Sequence, residues 1–242
     1  MAFLAVGLTA NAEEMNENNV AGSTEKTALA ADNDQEINNG GLTLDEGKDD
    51  DRLSMHIYTG FNIPTDSPEG VDFSFWRSWE INWTIVQYDY RLKNSKLALS
   101  AGIGFNWRKY TLDGHKNQIY KDGNMVKILP AGQEMNDLSS NIHTVSISVP
   151  LLAKYSFNKN FALSVGPQLN LNYYGRLHNA YKHGDDNHDI STKAIGQRLF
   201  TVDLMGIVHL WDVGIYCKYS PMSVIKKDRG PQFKSVAIGV YF

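Results

Sequence analysis

The sequence predicts an all-β fold, an eight-stranded antiparallel β-barrel, on three observations. From residue 52 to residue 242, hydrophobic residues alternate with small or polar ones, and the alternation recurs in eight separate runs. Period two is typical of a strand with one apolar face, because successive side chains point to opposite sides. The connections between the runs are alternately long and short, and the last run carries Val236, Ile238, Val240 and Phe242 on one face. An even number of antiparallel strands can close into a ring.

The first 51 residues differ from the rest of the chain in composition. Residues 1–12 are apolar and end in Ala10-Asn11-Ala12, the A-x-A form of a signal-peptidase site. Residues 13–51 hold twelve Asp or Glu, two Lys and no aromatic residue, a net charge of −10; since the whole chain carries −4, residues 52–242 carry +6. Such a segment cannot bury enough apolar surface to order its backbone. We therefore expect a signal-peptide remnant at 1–12, an acidic disordered linker at 13–51 and a barrel at 52–242.

Each run supplies one predicted strand. In the third run, for example, Leu99, Ile103 and Trp107 oppose Ser100 and Gly104. The predicted strands are Arg52–Asn62, Arg77–Arg91, Leu97–Tyr110, Ile142–Phe157, Phe161–Arg176, Gln197–Leu210, Val213–Ser220 and Phe233–Phe242. The fourth and fifth contain Pro150 and Pro167, which cannot donate to a ladder, so we expect a bulge or interrupted pairing there.

Turn lengths place the predicted barrel in a membrane. The short connections are Lys93–Lys96, Asn158–Asn160 and Trp211-Asp212, and the long ones are Ile63–Trp76, Thr111–Asn141, Leu177–Gly196 and Pro221–Gln232. Short periplasmic turns and long extracellular loops are typical of outer-membrane barrels. The sequence thus predicts a transmembrane β-barrel in the outer membrane of a Gram-negative bacterium, with both termini in the periplasm. A soluble carrier with its apolar face inward is an alternative, but aromatic residues near both strand ends and charges on the second face weigh against it.

Three motifs carry a resemblance to a known family. They are SVPLLAKYSF (Ser148–Phe157), LSVGPQLNLNY (Leu163–Tyr173) and VAIGVYF (Val236–Phe242). From about residue 52 onward, the chain resembles the outer-membrane β-barrel domain family of small eight-stranded barrels, which share the architecture of the OmpA transmembrane domain and of PorT-like proteins. The resemblance implies the fold and insertion by the barrel-assembly machinery, with Phe242 as an assembly signal. It implies no catalytic residues.

Several charged side chains face the predicted interior. A turn centred on Asn94 places Glu80 directly opposite Arg108, and the turn at 211–212 makes Asp203 and Lys218 near-diagonal neighbours. The charged lumen residues predicted from parity are Glu80, Arg108, Lys154, Asp203 and Lys218. An eight-stranded barrel is just wide enough for side chains to fill it. Such charges form a structural plug or, alternatively, a gated path for ions or a small ligand.

The sequence predicts neither an enzyme nor a cofactor or metal site. His143 has the opposite parity to Ser146 and Ser148, and no serine accompanies His209 and Asp203. The stretch from His183 to Asp189 has metal-capable side chains, but its spacing matches no known template, and we expect a solvated loop.

Together these patterns predict a structural or interaction protein. Its loops would contact protein, lipid or lipopolysaccharide partners, and no nucleic acid is expected. A hairpin around Asp122-Gly123-Asn124 is expected to offer an exposed edge to a protein partner.

Overall fold

The computed structural model describes residues 52–68, 71–114, 117–132, 136–184 and 186–242. The predicted signal-peptide remnant at 1–12 and the acidic linker at 13–51 lie outside these residues. Within the described ranges, no helix is long and apolar enough to cross a membrane.

The described residues form β-strands joined by turns and loops. In chain order, the strands are β1 (Arg52–Thr65), β2 (Trp79–Arg91), β3 (Leu97–Thr111), β4 (Asn117–Asp122), β5 (Met125–Pro130), β6 (Asn136–Asn158), β7 (Phe161–His183), β8 (Asp186–Lys193), β9 (Phe200–Leu210), β10 (Val213–Ser220) and β11 (Lys234–Tyr241).

Eight of these strands close into a ring. The order is β6-β3-β2-β1-β11-β10-β9-β7, and β6 pairs with β7 to complete the circle. Every neighbouring pair is antiparallel, including the first and last strands, where Thr59 lies opposite Val240 and Phe61 opposite Ile238. The predicted eight-stranded antiparallel barrel is therefore confirmed.

The long connections hold more structure than the sequence indicated. The predicted hairpin around Gly123 is confirmed as β4 and β5. By contrast, the connection predicted at 177–196 is largely strand, because β7 continues to His183 and pairs with β8. The sequence of β8 shows no alternation of apolar and polar residues, because its side chains are exposed on both faces. A solvated strand of this kind lacks the alternation that reveals a half-buried one.

The outer face of the barrel wall is more apolar than the inner face, as expected for a barrel in a membrane. Apolar side chains point outward and are exposed, with Ile103 at 51% and Leu204 at 55% of their full accessibility. Polar and charged side chains point into the lumen and are buried. The exposed apolar outer face is the opposite of what a soluble carrier presents to water.

Bulges change the direction of several side chains. The β2–β3 register shifts between Thr84 and Val86, so one extra residue inverts the parity of the rest of β2. Tyr88 and Tyr90 therefore point outward and are exposed, whereas strict alternation placed them in the lumen. At Pro150 the β3–β6 pairing lapses without a shift in register, which matches the interruption expected there.

Aromatic rings surround both ends of the barrel wall. At the short-turn end, the ring of Phe157 lies 4.8 Å from that of Tyr155 and 5.0 Å from that of Phe161. At the long-loop end, Phe61 lies 5.3 Å from Trp76, and Trp107 projects from β3. Ten residues separate the two levels along β3 and β6, which for tilted strands is a height of about 25 Å. That height matches the apolar band of a bilayer-spanning barrel.

Candidate functional site: the filled lumen

Four charged side chains meet at the middle of the lumen. Glu80 extends from β2, Arg108 from β3, Asp203 from β9 and Lys218 from β10, and all are buried. Oε2 of Glu80 lies 3.3 Å from Nε of Arg108 and 2.7 Å from Nζ of Lys218. Arg108 forms a second ion pair with Asp203. Two acids and two bases balance in charge, as burial in a low dielectric requires.

The ion pairs link facing walls as well as neighbouring strands. Glu80 lies opposite Arg108 in the β2–β3 register, as expected. Asp203 and Lys218 are diagonal neighbours, as expected. Their ion pairs are with other residues: Lys218 pairs with Glu80, while Asp203 pairs with Arg108 and accepts a 2.8 Å hydrogen bond from Asn170. Register along one sheet identifies only neighbours, whereas long side chains in a narrow barrel reach the opposite wall.

Neutral polar groups complete the network. The Tyr216 hydroxyl donates to Oε1 of Glu80 at 3.0 Å. The Tyr58 hydroxyl donates to Oε1 of Gln168 at 2.7 Å and accepts from Nζ of Lys218 at 3.3 Å. Each tyrosine thus ties its own strand to a partner elsewhere in the wall, and the network crosses the lumen.

An apolar and aromatic layer lies on the short-turn side of the network. The ring of Tyr58 lies 4.7 Å from Tyr216 and 6.0 Å from Tyr241. Tyr241 is buried in the lumen, because it has the opposite parity to Val240. The layer consists of Tyr58, Leu152, Met205, Ile207, Tyr216, Ala237 and Tyr241.

A second apolar layer covers the long-loop side. The β4–β5 hairpin folds over the mouth and contributes Ile119 and Val126, both buried. Its backbone is held there by Asn179, which donates to the Ile119 carbonyl at 2.6 Å, and by the Arg229 carbonyl, which accepts from the Val126 amide at 2.6 Å. The layer consists of Tyr110, Leu112, Ile119, Val126, Ile142, Leu177, Ile195, Val224, Ile225 and Phe233.

The lumen near the short turns contains a serine–histidine pair, so the expectation that no serine accompanies His209 is wrong. Oγ of Ser164 and Nε2 of His209 are 2.8 Å apart and buried. The two residues lie on neighbouring strands, so only the β7–β9 register could have brought them together. Lys154 is half-buried on the same side of the lumen. Among the described residues, no carboxylate hydrogen bonds to His209, which leaves the pair without the third member of a hydrolytic triad.

Other predicted chemical groups do not assemble. His143 points outward, whereas Ser146 and Ser148 are buried in the lumen. Within the described part of the chain, no three His, Cys, Asp or Glu side chains are grouped so as to hold a metal ion. The stretch from His183 to Asp189 falls on the β7–β8 hairpin, apart from Asp185, which lies outside the described residues.

The ring closes where the chain's last residues meet β1. The amide of Phe242 donates to the Ile57 carbonyl at 2.9 Å, and the Ile57 amide donates back at 3.1 Å. The Phe242 ring points outward and is exposed. Gly60 lies opposite Gly239 in the same ladder, where a Cβ on Gly60 would lie 2.3 Å from the Ile238 carbonyl oxygen. The junction thus depends on close backbone approach.

The β7–β8 hairpin presents an exposed edge at the long-loop end. β8 pairs with β7 on one side and ends the sheet order on the other. Its side chains are mostly exposed, including Ile190 at 50%. The edge expected on the hairpin at 111–141 stays a prediction, since β4 and β5 form a separate two-stranded sheet packed over the barrel mouth.

Comparison with known proteins agrees with this architecture. The model of a family described as "outer membrane protein beta-barrel domain" matches residues 31–202. The chain belongs to this family. The match covers β1 to β8 and the start of β9, and it begins within the segment predicted to be an acidic linker.

Two solved structures are similar to the chain at low sequence identity. The chain is similar to the attachment invasion locus protein Ail of Yersinia pestis, with 10% identity, a TM-score of 0.35, and coverage of 78% of this chain and 97% of Ail. A structure of Ail in complex with the heparin analogue sucrose octasulfate matches with 8% identity and a TM-score of 0.34, at the same coverage of each chain. Comparison with curated protein sequences gave no match.

Proposed function

We propose that this outer-membrane protein is a non-conducting barrel with a structural and interaction role. The observation that carries the proposal is the three-layered filling of the lumen. A charge-balanced network occupies the middle, and apolar layers lie on both sides of it. An ion crossing the barrel would have to displace the hairpin at the mouth, break buried ion pairs and pass an aromatic layer.

The same architecture supports a function outside the lumen. The long-loop end presents the free edge of β8 to protein partners, through main-chain hydrogen bonds of the β-augmentation type. The outward apolar face contacts the lipid bilayer and lipopolysaccharide. We place the long loops outside the cell and the ends of β1 and β11 in the periplasm, because family barrels have short periplasmic turns. We assign the outward Phe242 ring to recognition by the barrel-assembly machinery.

Planar-bilayer recording tests the closed lumen. We expect the purified barrel to show no steady single-channel conductance. Glu80→Ala should not open a conducting path, because both apolar layers remain. A steady wild-type conductance that Glu80→Ala alters would overturn the proposal in favour of the alternative, a narrow pore or carrier gated by interior charges. Asp122→Ala, at an exposed ion pair on the β4–β5 hairpin, is the control for a charge change outside the lumen.

Orientation is tested separately with single cysteines in a Cys217→Ser background. Ser191→Cys on β8 should react with a membrane-impermeant maleimide on intact cells. Lys96→Cys in the β2–β3 turn should react only after the outer membrane is permeabilised. The opposite pattern would show that the long loops face the periplasm.

A further inference from the structure

A row of basic side chains crosses the outer surface of four neighbouring strands. Lys109 on β3 lies opposite His143 on β6, His143 opposite Arg176 on β7, and Arg176 opposite Lys193 on β8. Antiparallel partners share a face, and in this case it is the outward one. At about 4.8 Å between strands, the row is roughly 15 Å long. We call these four residues, with the adjacent Arg77, the basic row.

The depth of the basic row is fixed by the residues below it. Trp107, Val145 and Tyr174 are register partners on the same strands and the same face. Each lies two residues closer to the membrane centre than Lys109, His143 and Arg176, a step of about 5 Å along the membrane normal. The row therefore lies directly beyond the aromatic girdle, at the level of the lipid headgroups.

The basic row lacks the acidic partners that neutralise other cations at this end of the barrel. Lys234 pairs with Asp66 at 2.6 Å, Lys182 with Asp137 at 3.3 Å and His178 with Asp189 at 2.9 Å. Among the described residues, no carboxylate lies within ion-pair distance of any member of the row.

The cations within the row lie beside one another instead. The charge of Arg77 acts on Lys109, and the charges of Arg176 and Lys109 both act on the imidazole of His143 between them. In addition, Nε of Arg176 is buried without a hydrogen-bond partner in the described part of the chain. Like charges held side by side are unfavourable unless an anion is shared between them.

We propose that the basic row binds the phosphate groups of lipid A in the leaflet at the long-loop end of the barrel. The row reaches far enough to contact more than one phosphate, and its guanidinium groups can bind phosphate oxygens in bidentate fashion. Lipid is the source of phosphate to which we commit, because the row lies at headgroup depth on the lipid-facing side of the wall. The inference rests on the proposed orientation of the long loops.

The expected effect follows from the charges removed. A cation near an anionic membrane surface contributes about a 5.5-fold factor in affinity, so neutralising two should weaken binding about 30-fold. Lys109→Gln/Arg176→Gln is the test variant. Lys127→Gln/Arg229→Gln is the matched control, because it removes two positive charges from the loops beyond the membrane surface. Lys109→Arg/Arg176→Lys keeps the charge and should bind like the wild type.

The experiment uses the purified full chain in phosphatidylcholine nanodiscs, titrated with lipid A carrying both phosphates, with dephosphorylated lipid A and with inorganic phosphate. Heat-modifiable gel migration shows which variants are folded. We expect saturable binding of phosphorylated lipid A by the wild type and the control, about 30-fold weaker binding by the test variant, and no binding of the other two probes.

Equal binding by wild type and test variant, or equal binding of dephosphorylated lipid A, would overturn the inference. Equivalent binding of inorganic phosphate would replace the lipid with a soluble anion. Conductance is measured independently, so a conducting wild type would refute the closed lumen without affecting this result.

Discussion

Removal of Glu80 tests whether the lumen network stabilises the barrel. In the structure, Oε2 of Glu80 forms ion pairs with Lys218 and Arg108, and Oε1 accepts a hydrogen bond from Tyr216. When Glu80 is replaced by Ala, Arg108 keeps Asp203, whereas Lys218 keeps only neutral contacts among the described residues, with the Tyr58 hydroxyl at 3.3 Å and the Tyr58 ring at 5.0 Å. Lys218 is the cation that becomes unpaired inside the wall.

The magnitude follows from that unpaired charge. Breaking a buried ion pair by removing one partner costs about 3 to 5 kcal/mol. A loss of that size would be a large fraction of a total stability of about 5 to 15 kcal/mol. In the double variant Glu80→Ala/Lys218→Met both charges are absent, so we expect it to recover most of the loss and to lie within about 2 kcal/mol of the wild type.

Urea unfolding of the barrel refolded into lipid vesicles, followed by tryptophan fluorescence, measures both changes. Asp122→Ala provides the control, because its ion pair with Lys127 is exposed and surface pairs contribute little. A loss below about 1 kcal/mol in Glu80→Ala would refute the reasoning. So would a double variant whose loss equals the sum of the two single ones, since the charges would then be uncoupled.

Three further substitutions test other parts of the structure. Gly60→Ala should destabilise the barrel by about 1 to 3 kcal/mol in urea, because its Cβ would lie 2.3 Å from the Ile238 carbonyl oxygen; Gly206→Ala, where a Cβ meets nothing within 4 Å, is the control, and equal effects would contradict the argument. Val126→Asp should detach the β4–β5 hairpin from the mouth and speed its proteolysis, while unchanged cleavage would show that the buried contact is dispensable. Phe242→Ala should lower the amount of barrel assembled in the outer membrane without changing the stability of refolded protein; normal surface levels would count against its role as an assembly signal.

Much of the barrel could be predicted from sequence because one face of each strand contacts lipid and the other lines a polar lumen. The strand Val213–Ser220 matches its predicted bounds. Glu80 lies opposite Arg108 as predicted, although the ladder beside the turn places Arg91 opposite Ala98, a register centred between Asn94 and Ser95, and the bulge in β2 produces the predicted pairing. Asn94 adopts a φ of 55°, a left-handed conformation that Asn tolerates in tight turns.

The rest depended on interactions that alternation does not encode. The bulge near Ile85 turns Tyr88 and Tyr90 outward, yet nothing in the local pattern marks an inserted residue. The partner of Lys218 lies on the far wall, and the strand β8 is solvated on both faces. The basic row likewise appears only when four strands are placed in register, because its members are far apart in the sequence.

The position of the lumen network also has a consequence for assembly. Glu80 and Tyr58 belong to the first two strands of the chain, whereas their partners Lys218 and Tyr216 belong to β10, so the ring must close between β1 and β11 before these groups meet. In a partly inserted sheet, with β1 and β11 not yet paired, the Glu80 carboxylate and the Lys218 ammonium would lie unpaired beside lipid. Each would cost roughly several kcal/mol. The pairing of β1 with β11 and the formation of the lumen ion pairs therefore occur together. Half-closed intermediates should therefore be sparsely populated, and insertion should proceed cooperatively once the two end strands come together.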